Sequence, residues 1–398
     1  MRAVTHPLPT AVDLNDVARG DGYLFVRSGV GYAGRGVAYS GADDIVATLQ
    51  SIDHQDHMGG VSPVALGVIP FAPGSPGHFV IPAMTVGKDG DGRQWVTIID
   101  DGQDPPDDFD IFASLAQAQP AARAQSFSIT QTTPIDRYLD AVIAARDAVA
   151  GGALAKVVVA RQIGIDSDQP IDIHSVLVRL RSAFANSYRY SFDGLIGASP
   201  ELLVSVDGAT VRSHPLAGTA PRTGDPAIDR SAAAALLASI KDQVEHRVVI
   251  DMIHDTLLPW CSFLDWQPEP TVVEVANVQH LATLMQGQLS EPRPDVLELV
   301  RALCPTPALG GFPRDAALQL IDVIEPFDRG RYGGAVGYVD ANGDGTWAVV
   351  IRCAEFSADR RQAILSAGGG IVARSEPLAE LAETQAKFQA MLSAIVRP

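Results

Sequence analysis

With 398 residues, 46% of them hydrophobic and 19% charged, the chain has the composition of a soluble globular protein of one large domain or two ordinary ones. A net charge of −17 at pH 7 argues against nucleic acid as a partner and requires a local cationic site for any small anionic substrate. No run of about 18 uncharged apolar residues occurs, so no membrane span is expected. The N-terminus MRAVTHPLPT lacks a basic segment followed by an apolar one, so secretion is not expected. Cys261, Cys304 and Cys353 are few and far apart, which fits a reducing cytoplasm.

Residues 1 to about 125 read as short strands and loops. KDGDG at 88–92 separates AMTV from RQWVTIID and predicts a hairpin, and GQDPPDDFD at 102–110 predicts an exposed loop. His54, Asp56 and His57 do not have a strong metal-ligand spacing. Thr133-Pro134 predicts an N-cap and first helical position for IDRYLDAVIAARDAVA, stopped by Gly151-Gly152. A soft boundary near residue 130 separates a strand-rich part, 1–129, from the remainder, 130–398. There LAKVVVARQIGI reads as a strand and about 171–186 as a helix, which precedes another strand pair and the segment GLIGASPELLVSV, and about Asp229 to Leu258 reads as one long helix. LCPTPALGGFP and EPFDRGRYGGAVGY are dense in Pro and Gly, as pocket-shaping loops and plain tight turns both are. Trp347–Phe356 reads as a single strand carrying Arg352, followed by a strand into Gly368, Gly369 and Gly370 and a helix after Pro377.

Several of these residues are candidates for chemistry. Arg352 lies in an apolar run, where a guanidinium needs an anionic partner. Glu380, Glu383 and Lys387 share one helical face, as do Asp242 and Glu245, and two such faces side by side would suit Mg²⁺. Lys156 opens an apolar strand, and desolvation of an ammonium suits a general base. Glu201 enters another strand, and a desolvated carboxyl suits a general acid. Each also has a plain reading, as a snorkelling lysine, a solvated strand end or a salt-bridged surface helix. The glycines match neither a dinucleotide nor a P-loop fingerprint, so no nucleotide cofactor is expected.

Taken in order, KVVVAR, GASPELLV, PLAGTAPR, KDQVEHRVVID, QHLAT, PTPALGGFP, EPFDRGRYGGAVGY, IRCAE, AGGGIVARSEP and ELAETQAK make residues 130–397 resemble the chorismate-utilising enzymes. That family comprises the isochorismate, salicylate, anthranilate and aminodeoxychorismate synthases. The resemblance implies an α+β fold of large, mostly antiparallel sheets packed face to face with helices outside, in which residues 1–129 join the catalytic core 130–398. Lys156 resembles the water-activating lysine of the isochorismate and salicylate members. Ala217 stands where aminodeoxychorismate synthases carry a nucleophilic lysine, and Ala308 and Ile351 resemble isochorismate synthases. The implied roles are Lys156 as base and Glu201 as acid, with Mg²⁺ on Glu245 and Glu383 and Glu380 supporting through water. Arg352, Tyr332 and the backbone near Gly370 would hold the enolpyruvyl carboxylate of chorismate. Gly218 and Thr219 would add backbone contacts, with His280, Ile351 and Lys387 lining the site. A cytoplasmic monomer is expected, in transient contact with a downstream enzyme that uses isochorismate for siderophore, menaquinone or salicylate synthesis. The alternative within the family is a salicylate synthase, which goes on to eliminate pyruvate.

Overall fold

In the computed structural model, which describes residues 1–42, 44–100, 126–275 and 277–396, the strands form sheets of thirteen, nine and three strands. Neighbouring strands pair antiparallel throughout, except Arg2–Pro7 beside Asp53–Asp56. The loop expected at 102–110 lies outside the described residues. The hairpin expected around KDGDG is present, with Met84–Lys88 against Gln94–Asp100. Both large sheets mix early and late parts of the chain: Tyr23–Arg27 pairs with Tyr188–Phe192, and Val64–Ile69 with Ala335–Asp340.

Alternation along the strands sorts side chains into two cores. In Tyr23–Arg27, Tyr23 and Phe25 point between the two large sheets, whereas Leu24 and Val26 point away, beneath helices. The inter-sheet core includes Trp347, with no exposed surface, and the rings of Phe25 and Tyr32 meet Tyr338 of the opposing sheet at 6.0 and 4.6 Å. The second core lies against Leu14–Ala18, Ile173–Ala183 and Pro377–Val396. This is the α+β, face-to-face architecture expected of the fold.

Three local expectations are corrected. The strand expected over Trp347–Phe356 is two, Gly345–Val349 in the nine-stranded sheet and Cys353–Phe356 in the thirteen-stranded one. Arg352 stands at the crossing with φ +52°, left-handed backbone that β-branched neighbours such as Val350 and Ile351 could adopt only under strain. The helix expected over 229–258 is also two, Pro226–Ala238 and Ile240–Leu257. Ser239 adopts an extended conformation between them and its hydroxyl accepts from Asp242 N, capping the second. Thr133 does not cap Ile135–Ala150; Pro134 holds that position, while Thr133 exchanges hydrogen bonds with the backbone of Gln162.

A second crossing runs beside the first. Leu195–Ser199 belongs to the thirteen-stranded sheet and Leu202–Asp207 to the nine-stranded one, with Pro200-Glu201 between them. The two crossings are hydrogen-bonded to each other: Ala198 N donates to Arg352 O at 3.1 Å and Val349 N to Glu201 O at 3.2 Å. Glu201 and Arg352 are thereby held at one seam between the sheets.

Since Ser239 seats the helix that carries Glu245, Ser239→Ala should lower unfolding stability by about 1 kcal/mol and Ser239→Gly by only a few tenths. Chemical denaturation of the three proteins reads this directly.

Candidate active site

The seam opens into a cavity. Glu201 and Arg352 enter from the crossings, and Lys156 from the first residue of the strand Lys156–Ser167. Gly218 and Thr219 come from Leu216–Pro221, and His280 from Val278–Ala282. Gly370 comes from the strand Gln362–Ile371, paired directly with Lys156–Ser167 (Val158 opposite Gly370).

At one side Arg352 donates from its guanidinium to His280 Nε2 at 2.9 Å. An arginine only donates, so Nε2 is the acceptor and the ring proton sits on Nδ1, 3.1 Å from Gly218 O and from Thr219 Oγ1. Burial, and then Arg352 itself, hold the His280 pKa well below the usual histidine range, so the ring is neutral. Tyr332 lines the same wall, and burial raises its pKa, keeping the phenol a hydrogen-bond donor. The result is an anion holder: one guanidinium kept in place by a neutral imidazole, with a phenol alongside.

At the other side the helices Ile240–Leu257 and Pro377–Val396 bring Glu245, Glu380 and Glu383 to the glycine-rich strand end. A Cβ on Gly370 would lie 2.4 Å from Glu245 Oε1, and one on Gly369 would lie 2.8 Å from Glu380 Oε2. The carboxylates therefore rest on bare backbone, and a side chain at either glycine would push a carboxylate out of its place. Each faces a lysine: Glu245 Oε1 is 2.8 Å from Lys156 Nζ, Glu383 Oε1 2.6 Å from Lys387 Nζ, and Glu380 Oε1 3.5 Å from Lys241 Nζ. Lys387 also donates to Gly368 O at 2.7 Å. Burial acts to raise the Glu245 carboxyl, yet Lys156 beside it brings the balance below the usual range. Glu380 and Asp242 are raised, by burial first and by neighbouring carboxylates as well. Such mutually repelling, all-oxygen donors fit a hard divalent cation. Among the described residues no group of three His, Cys, Asp or Glu side chains is placed to hold a metal ion by itself, and an ion such as Mg²⁺ takes one or two carboxylates and fills its shell with water and substrate oxygens.

Between the two sides stand Lys156, 1% exposed, and Glu201, 3% exposed. Burial raises the Glu201 pKa from its ordinary 4.5 to about 7, against the opposing pull of the Leu216 amide, Lys156, Arg352 and Lys387. An acid poised near neutrality, in one cavity with a buried lysine, can move protons at two points of one bound molecule.

Every residue given a role above lines this cavity except Glu380, which lies behind it against Gly369 and Lys241; Asp242, which shares a helical face with Glu245, does not line it either. Ala217 and Ala308, used above to discriminate within the family, line it as well. Pro200, Leu216 and Leu309 were missed as wall residues. Each sits inside a motif already singled out, but an apolar side chain carries no chemical signal of its own. Lys241 was missed too, although it directly precedes Asp242 in KDQVEH.

A family model described as chorismate binding enzyme matches residues 53–396. The isochorismate synthase DhbC of Bacillus subtilis is 44% identical over 258 residues, 62% of this chain and 64% of that protein. The isochorismate synthase EntC of Escherichia coli is 37% identical over 340 residues, 83% of this chain and 81% of that protein. The crystal structure of MenF, the menaquinone-specific isochorismate synthase of Escherichia coli, superposes with a TM-score of 0.84 at 25% identity, covering 99% of this chain and 94% of that one.

The raised Glu201 pKa has a consequence for stability. A carboxyl whose folded pKa is above its unfolded one favours the fold most fully below about pH 4.5, and that advantage is lost as pH rises through about 7. Glu201→Gln keeps an acceptor for the Leu216 amide but cannot ionise. Relative to the parent, it should therefore gain stability between about pH 4.5 and pH 8, by on the order of 3 kcal/mol. Denaturation midpoints at the two pH values test the sign.

Proposed function

We propose that this chain, which belongs to the chorismate-binding enzyme family, is an isochorismate synthase: it adds water at C2 of chorismate and expels the C4 hydroxyl. The observation that carries this reading is that buried Lys156 and Glu201, the latter poised to carry a proton near neutral pH, line one cavity that also holds an arginine anchor. Names of relatives that match over most of the chain point the same way.

In the proposed mechanism Arg352, fixed by His280 and joined by Tyr332 and the Gly370 N–H, holds the enolpyruvyl carboxylate. Glu245 and Glu383 would hold Mg²⁺, with Glu380 reaching it through water and Lys387 neighbouring Glu383. The ion would supply positive charge for the ring carboxylate of chorismate. Lys156 takes a proton from water as its oxygen bonds to C2. The ring double bonds shift, the C4–O bond breaks, and Glu201 gives its proton to the departing hydroxyl, which leaves as water. One water enters and one leaves, and the lysine ammonium and glutamate carboxylate return to their starting states by exchanging a proton with solvent. The step breaks and makes like bonds, so it should be reversible. Gly218 and Thr219 shape the wall between the reacting groups, and Ile351 and Ala308 leave it apolar.

We further propose that residues 1–129 pack into the same fold as the catalytic core 130–398. The proposed working state is a cytoplasmic monomer that passes isochorismate to a downstream enzyme. Among the described residues no helix is long and apolar enough to cross a membrane.

Incubation with chorismate and Mg²⁺ should yield isochorismate by chromatography; fluorescent salicylate with stoichiometric pyruvate would instead make the protein a salicylate synthase. Lys156→Ala and Glu201→Gln should each lower turnover by at least about 10²-fold while chorismate binding stays measurable. A near-normal rate in either would remove that residue from its role. Chelation should abolish activity, Mg²⁺ should restore it, and Glu383→Gln should raise the Mg²⁺ concentration needed for half-activity.

A further inference from the structure

The strand that carries Lys156 has one complete neighbour and one fragmentary one. Gln362–Ile371 pairs with it from Val157 to Asp166. On the opposite edge Gly311-Phe312 pairs only with Lys156 and Val157, and the ladder ends as Val158 N donates to Gly310 O at 2.9 Å. Phe127–Thr130 takes up that edge again at Gly164. The gap cannot be left bare, since buried backbone N–H and C=O groups need partners. Thr133 closes part of it at Gln162. Two further backbone groups are met by side chains. Glu325 Oε1 accepts from Ala160 N at 2.7 Å, and an Arg329 amino group donates to Val158 O at 2.8 Å.

Glu325 and Arg329 are bound to each other, with Arg329 Nε 2.8 Å from Glu325 Oε2, and the side chains of both are 1% exposed. Together they present an acceptor and a donor at the spacing of a β-ladder, as a neighbouring strand would. A buried ion pair is by itself weak evidence of stabilisation. This one also spans three segments of cavity wall. Arg329 donates to Leu309 O at 2.7 Å, its own carbonyl accepts from Tyr332 N at 3.0 Å, and Val158 and Leu309 both line the cavity. Its guanidinium lies 4.5 Å over the Phe71 ring, closing the side away from the site. Neither Glu325 nor Arg329 lines the cavity.

We propose that Glu325 and Arg329 are positioning residues: a side-chain substitute for a missing strand that sets Lys156 in register with the Leu309 and Tyr332 walls. The inference rests on the reading of Lys156 as the base, but the ladder it describes does not depend on which reaction occurs. Arg352 and the carboxylates on the metal side lie on other segments, and Tyr332 keeps its own backbone bond to Arg329 O, so loss of the side-chain pair should impair the reacting geometry more than binding.

Three variants test this. Glu325→Gln keeps an acceptor for Ala160 N and should retain most activity. Glu325→Leu removes it. Arg329→Lys keeps the charge but loses the fork that reaches Val158 and Leu309 together. In Arg329→Lys, and in Glu325→Leu where it folds, kcat per folded molecule should fall by roughly 10- to 100-fold, with KM for chorismate within about threefold of the parent. Hydrogen exchange of peptides covering 156–162 should quicken in Glu325→Leu and Arg329→Lys but not in Glu325→Gln. A merely structural role would lower thermal stability and leave kcat per folded molecule unchanged, and that result overturns the proposal. Unchanged exchange at 156–162 in Arg329→Lys overturns it equally, whatever the activity. Should the parent protein fail to make isochorismate while exchange still responds, the functional reading fails and the strand substitute stands.

Discussion

Two neighbouring segments leave one sheet and enter the other, and the backbone hydrogen bonds between these crossings hold the site together. A residue within a sheet has its direction set by the pleat, toward one core or the other. At a crossing the pleat is interrupted, so a polar side chain can turn toward the seam without displacing an apolar one from either core. Glu201 and Arg352 occupy those two interruptions. Glu201 and Arg352 are thus fixed relative to each other by main-chain bonds, before any side-chain contact is considered.

Electrostatics around the seam follow from burial. An isolated charge there would be costly, and the cavity answers with close alternation: Lys156 with Glu245, Lys387 with Glu383, Lys241 with Glu380. Among the described residues Glu201 has no ion-pair partner at contact distance, so burial governs it and its proton is held to about pH 7. His280 is also buried, and burial, with a guanidinium beside it, makes it neutral by loss of a proton where Glu201 is neutral by keeping one. Carboxyl and imidazole both end up uncharged, one able to give a proton and the other reduced to an acceptor for Arg352.

Most of the site was legible in the sequence because polar residues inside apolar runs, such as Lys156 and Arg352, and glycines in series are conspicuous there. Their roles came from family resemblance, since spacing alone left each with a plain alternative. What periodicity could not supply was topology. Trp347–Phe356 reads as one strand because each half has strand composition, and only the pairing partners reveal that the halves belong to different sheets. Likewise 229–258 reads as one helix because serine interrupts no pattern, yet Ser239 ends one helix and caps the next. Glu325 and Arg329 looked like ordinary members of a turn-rich loop. Their importance depends on a strand far away in sequence that lacks a neighbour, which no local pattern records.

The bare backbone at Gly369 and Gly370 divides the cavity into two parts with different freedom to change. On that floor any side chain would collide with a carboxylate, and moving a carboxylate would unbalance a buried set of charges. The apolar wall formed by Ala217, Ala308 and Ile351 carries no such obligation. Substitutions there reshape the space around a bound ring while leaving the charge pairing intact. A scaffold arranged in this way can vary its wall and keep its buried charges paired as they are.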